Sequence, residues 1–308
     1  MIKAPLEAEL RDFASGMKTP DNSGLAYMNA YSHHGYFEDM KFAENADQLP
    51  EIMAFLGFGS FFRKPFRELF VDAGVFETVP SARPGRSLEN AGFLDPMGRY
   101  SVIAVNPMVM VADHAKLKGR PLPSRWSDIL EPEYERSVGV VGREGSFNET
   151  LSLALYKESG MQGIERLRRA VGFAGHPAQM VKMAGTNHPD APAINVIDYF
   201  FAKMVRHQER ITIIWPEDGA LAVPFVALVK RSVHREPVCD FLTGRTMARI
   251  CSDAYFYPVY GDLPADLPSP DRLKWPGWEY VRDNVERIAD HVRESACAAR
   301  EGGTDCGS

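Results

Sequence analysis

The sequence predicts an α/β protein of two lobes joined by two strand crossings, and three observations carry that expectation. The chain has 308 residues, more than one hydrophobic core ordinarily serves. Short apolar runs alternate with segments of helical periodicity, the pattern of strands and helices layered about a largely parallel sheet. Two unusually long apolar runs, 100–112 and 211–229, are each interrupted by a break containing proline. Such a break suits a chain that passes from one separately cored half to another.

Taken in order, Pro5 suits a first helical turn, and Leu6, Leu10 and Phe13 recur at helical spacing, so a helix is predicted over 5–15. Residues 25–31 form a short apolar run that reads as a buried strand, followed by the loop Ser32-His33-His34-Gly35. The run 52–56 is a second buried strand ending in Gly57-Phe58-Gly59-Ser60, after which a helix carries Phe62, Phe66, Leu69 and Phe70. Within 100–112, Pro107 removes a ladder donor, which predicts two short strands meeting at a bend at Asn106-Pro107. A helical turn at 126–130, a strand at 138–141, helices at 147–157 and 163–171 and a strand at 193–197 follow. The second long run reads as strand, turn (216–219), strand. Lobe one is therefore 1–106 plus 221–308, and lobe two, inserted, is 107–220. Near the C-terminus, Trp275 and Trp278 lead into a helix over 279–294 with one apolar stripe, Val281, Val285, Ile288 and His291 or Val292.

Composition excludes several function classes. Hydrophobic residues at 45% and charged residues at 25% are the balance of an ordinary globular protein. A net charge of -6 argues against nucleic acid or an anionic membrane as partner, because counterion release needs a basic face. No apolar run approaches the roughly 20 residues of a membrane span. The N-terminus lacks the basic start, apolar stretch and small-residue site of an export signal, which reads as a cytosolic chain or one trimmed of its leader. Cys239, Cys251, Cys297 and Cys306 form no CxxC pair and are expected to be free or buried thiols. Hydrolase elbow, phosphate loop, dinucleotide fingerprint and zinc-helix motifs are all missing, so no enzymatic activity and no cofactor are expected.

The order and spacing of three stretches resemble the type II periplasmic binding proteins, the solute-binding proteins of ABC importers, and within them the ferric-iron-like branch. The stretches are 100–111 with its Asn106-Pro107, 122–132 with its proline, tryptophan, aspartate and leucine pattern, and 215–220, Trp-Pro-Glu-Asp-Gly-Ala. The resemblance covers most of the chain. It implies an extracytoplasmic monomer that captures a small polar or ionic ligand, iron or an oxyanion among the options. Hinge closure at Asn106-Pro107 and 216–219 would trap it in an interlobe cleft, for delivery to the importer's membrane permease. Iron-binding members place adjacent tyrosines after the last strand of the inserted lobe. Here that place reads Ile197-Asp198-Tyr199-Phe200-Phe201, with one tyrosine. A cytosolic ligand sensor or an enzyme built on the same fold is the alternative reading.

Binding loops in such a fold lie at the carboxyl ends of strands and at helix starts, where free N–H groups meet polar ligands. One is the loop containing Gly145, Ser146 and Asn148, in which Ser146 and Glu149 also read as a capping box. Gly59 and Ser60, in the first glycine loop, could cradle an oxyanion or simply form a tight turn. Ser32, His33 and His34 would bring pH-dependent binding, or a plain polar loop. Asp198 and Tyr199 occupy the position implied by the resemblance. Glu217 could reach a cation, and Asn106 could offer its amide. No metal-ligand set is assigned.

Overall fold

The computed structural model describes residues 8, 11–13, 15–16, 40, 42–79, 88–89, 91–143, 146–231, 235–261, 263 and 265–301. The strand expected at 25–31, the residues Ser32, His33 and His34, and Gly145 lie outside them. In chain order the elements are β1 (Ile52–Leu56), β2 (Phe76–Glu77), β3 (Ser101–Asp113), β4 (Val138–Arg143), β5 (Ser146–Phe147), α1 (Glu149–Ala170), β6 (Val171–Gly175), α2 (Pro177–Met183), β7 (Ile194–Asp198), α3 (Tyr199–Lys203), β8 (Ile211–Ile214), β9 (Ala220–Lys230), α4 (Arg235–Leu242), α5 (Arg245–Asp253), β10 (Tyr257–Pro258), β11 (Leu273–Lys274) and α6 (Trp278–Glu301).

The chain divides into two compact units, Met1–Asn106 with Val223–Pro270, and Pro107–Ala222 with Asp271–Ser308. The boundaries expected from the sequence place 271–308 with lobe one. In the structure Leu273 and Lys274 pair with Ala220 and Leu221 at the start of β9, and Lys157 of α1 donates to the Pro276 carbonyl, which ties this stretch to the second unit. These are long-range bonds, invisible to local periodicity.

In the first unit, β1 runs antiparallel to β9, Ile52 beside Val229 through Leu56 beside Phe225. β10 pairs antiparallel with β3, Tyr257 beside Val105. The phenylalanines expected on one helix sit on a 3-10 turn (Ser60–Phe62), one α turn (Lys64–Phe66) and a π turn (Arg67–Val71). Phe58, Phe62, Phe66 and Phe70 are buried there. The described residues between Ala8 and Gly16 are helical, and the Phe13 ring stacks 3.8 Å from that of Phe241 in α4. Cys239 and Cys251 are buried, and burial pushes the Cys251 thiol up to about 12, so it stays protonated and inert.

In the second unit, β7 and β6 flank β4, both parallel to it, while β7 and β8 run antiparallel to β3. The sheet is thus mixed rather than largely parallel. Gly139 of β4 is required by packing: a Cβ there would lie 2.5 Å from the Pro192 ring. The expected helices at 147–157 and 163–171 form one helical run, α1, broken at Gly160 with φ 58. The stripe on α6 holds, with Val281, Val285, Ile288 and Val292 all buried.

The expected break at Asn106-Pro107 is absent, and β3 is one buried strand of 13 residues. The proline is accommodated because it falls where partners change: Ala104 and Val105 pair with β10, and pairing with β7 begins at Met108. The turn at 216–219 forms as expected, with the Gly219 N–H donating to the Pro216 carbonyl at 2.9 Å and φ 97 at Gly219. It lies inside the second unit, however, and the chain leaves that unit only at Ala222.

Candidate solute-binding site

Parallel registry decides where the candidates of the second unit meet. Val140 of β4 lies beside both Val196 of β7 and Ala174 of β6, so all three strands leave the sheet at one carboxyl edge. There the chain turns into helices. β4 pairs antiparallel with β5, which is followed by Asn148, whose Oδ1 accepts from the Thr150 and Leu151 amides at 2.9 and 3.3 Å and so caps α1. β6 passes to His176, whose Nδ1 accepts from Ala178 N at 3.1 Å and caps α2, with Pro177 in the first turn. β7 ends at Asp198, which makes no capping bond to α3.

Ser146 was expected to cap the helix in a box with Glu149. That is corrected: pairing of Ser146 with Arg143 draws it into β5, and the helix starts two residues later, behind Asn148.

β8 reaches the same edge, because Ile214 pairs with Met110, two residues along β3 from the Met108 beside Asp198. Trp215 follows, and its ring meets that of Tyr199 edge-on at 5.6 Å. Glu217, in the next turn, pairs with Arg125 at 3.4 Å, both side chains more than half exposed, an interaction worth about 0–1 kcal/mol. Asp218 instead accepts from the Trp126 amide at 3.3 Å and from Lys274, which also reaches Glu158. Burial holds the His176 imidazole below the ordinary histidine range, which keeps Nδ1 available as an acceptor at neutral pH.

The structure therefore brings Ser146, Asn148, Asp198, Tyr199 and Glu217 to one edge. Gly59, Ser60 and Asn106 belong to the first unit. The loop at Gly57 has a structural explanation. Gly57 takes φ 81 and donates its amide to the Pro224 carbonyl at 2.9 Å, while Phe58 and Phe62 are buried beneath. Tyr100 stacks on Phe62 at 4.3 Å and donates its hydroxyl to the Phe61 carbonyl. At Gly59, φ is -60 and a Cβ would meet nothing within 4 Å, so neither conformation nor space requires glycine. Asn106 is buried inside β3.

Sequence reasoning missed His176. Its strand, Val-Gly-Phe-Ala-Gly, carries two glycines and overlaps the helix predicted over 163–171 only at Val171, and the rest is given no element, although His176-Pro177 before an apolar run is a helix-start signal. Among the described residues, no group of three or more His, Cys, Asp or Glu side chains is placed to hold a metal ion.

Residues 47–284 match the family model of the bacterial extracellular solute-binding proteins. The chain belongs to that family. This bacterial extracellular solute-binding protein has no match among curated proteins. Its fold is that of several solved structures. Apo ferric ion-binding protein A of Pasteurella haemolytica aligns over 95% of this chain and 94% of its own, at TM-score 0.64 and 14% identity. Iron-bound HitA of Pseudomonas aeruginosa aligns over 85% and 87%, at 0.61 and 14%. A Trichodesmium protein (IdiA, FutA) in complex with iron and citrate aligns over 84% and 88%, at 0.58 and 14%. The α/β, type II periplasmic-binding-protein-like fold inferred from the residues is the observed one.

Proposed function

We propose that this solute-binding protein works outside the cytoplasm as a monomer and hands its cargo to the membrane permease of an ABC importer, without turning it over. The cargo we assign is ferric iron held by a chelating polycarboxylate. The observation that carries this is the carboxyl edge of the second unit, where Asp198, Tyr199, Asn148 and His176 stand at the ends of adjacent parallel strands. A carboxylate and a phenol are hard oxygen donors suited to ferric iron. Two such groups do not fill its coordination sphere, so a chelating anion supplies further oxygens. The start of the 22-residue helix α1 favours a bound anion there. Two of the structurally similar proteins support the same cargo, iron-bound HitA and the Trichodesmium protein in complex with iron and citrate.

Capture by bending is part of the reading. Its support is that β3 and β9 each carry the chain from one unit to the other as an uninterrupted strand. A solute that binds the closed form better shifts the population towards it.

The test is titration of iron-free protein with ferric citrate, followed in the visible. Direct Tyr199 ligation gives a phenolate-to-iron charge-transfer band that saturates at one equivalent and is absent in Tyr199→Phe. Saturation by spermidine or phosphate, with no response to ferric citrate, would keep the solute-binding role and overturn the iron assignment.

A further inference from the structure

We infer that residues 269–271 form a length-limited strap that sets how far apart the two units can swing. The chain leaves the first unit for the last time at Pro270 and enters the second at Asp271. Each end of this passage is pinned inside its own unit. In the first, Tyr257 is fully buried in β10, pairs with Val105 of β3 and donates its hydroxyl to the Pro268 carbonyl at 2.7 Å. In the second, Trp215 Nε1 donates to the Arg272 carbonyl at 3.0 Å, and β11 pairs with the start of β9. Lys274 then bridges Asp218 and Glu158, and Lys157 holds the Pro276 carbonyl at 2.8 Å.

Gly219 belongs to the same pinning. A Cβ there would stand 2.9 Å from Lys274 N and 3.0 Å from the Arg272 carbonyl, so the strap's anchor in the second unit seats against backbone that only glycine leaves open. Between the pinned Pro268 and Arg272 lie only Ser269, Pro270 and Asp271. Four Cα steps reach at most about 14 Å, and the proline ring stiffens one of them.

The other two passages, at Asn106/Pro107 and Ala222/Val223, are interior positions of continuous strands. A strand can bend or twist through a range of angles, whereas a short pinned tether goes taut. The strands thus supply the axis of bending and the strap its limit. This deepens the hinge-bending reading and rests on it.

The experiment measures distances between spin labels carried on non-native ketone residues at Glu68 and Glu133, exposed positions in the first and second units. Labels that avoid thiol chemistry leave the native cysteines untouched. Three proteins are compared: wild type, a Gly-Ser-Gly-Ser insertion after the exposed Ser269, and Tyr257→Phe. The insertion is expected to add a population at longer distance, extending up to about 14 Å further. Tyr257→Phe removes one oxygen, frees Pro268 and is expected to give a smaller extension in the same direction, which keeps the test alive if the insertion fails to fold. Broad but identical distributions in all three would overturn the strap and leave hinge bending standing. Three identical, narrow distributions would overturn both.

Discussion

Two glycine-bearing loops look alike in the sequence, one after β1 in the first unit and one after β4 in the second, and the structure treats them differently. The first follows a strand paired antiparallel with β9, and its turn is filled by Phe58 and Phe62 and tied to Tyr100. The second follows a strand with parallel neighbours on both sides, so three chain ends and the helix starts behind them gather at one edge. Parallel neighbours send successive strand ends and helix N-termini to the same place, which the antiparallel pairing of β1 with β9 does not.

That contrast can be broken by substitution. The largest effect is expected at Phe62, which is 3% exposed in the aromatic cluster. Phe62→Ala should lower stability by about 3–5 kcal/mol in urea unfolding. A loss below about 1 kcal/mol would mean that the first loop is not held by packing.

Asn148→Ala removes an acceptor from two amides and should cost about 1 kcal/mol of stability. Because Asn148 also stands at the proposed binding edge, the calorimetric affinity for ferric citrate should fall as well. Unchanged affinity would confine Asn148 to capping.

Tyr199→Phe keeps the ring that meets Trp215 and should shift stability by no more than about 0.5 kcal/mol, while abolishing the charge-transfer band. A large stability loss would make its hydroxyl structural.

The smallest effect concerns His176. Its folded pKa lies below the ordinary 6.5 because burial disfavours the imidazolium. The unfolded chain then takes up protons first as pH falls, so the contribution to stability is present above 6.5 and lost as pH drops through the lower folded value. His176→Asn retains an acceptor for the Ala178 amide and should flatten that part of the melting profile between pH 7.5 and 5. A profile identical to wild type would remove His176 as a titrating group.

Much of this was legible in the residues themselves. The strand at Ile52–Leu56, the turn before β9 and the stripe on α6 follow from local periodicity and turn chemistry, and the structure repeats them. Asp198 and Tyr199 are singled out by the resemblance, as the place where iron-binding members carry adjacent tyrosines. What stayed hidden depends on distant partners. Pro107 looked like a strand breaker because the switch from β10 to β7 at that residue is a tertiary fact. The Ser146 box was chemically sound and lost to a hairpin that local capping rules do not weigh. The third passage between the units escaped notice because Tyr257 and Trp215, which pin it, lie 11 and 57 residues from the carbonyls they hold.

The most direct measurement is calorimetric titration of ferric citrate into the intact protein beside Asp198→Asn, which swaps the carboxylate for an amide of the same shape. If the carboxyl edge of the second unit catches the cargo, wild type binds one equivalent and the variant binds it at least about tenfold more weakly, a difference of about 1.4 kcal/mol. Equal affinity in the two proteins would place capture elsewhere, and conversion of the added compound to a product would contradict a solute carrier altogether.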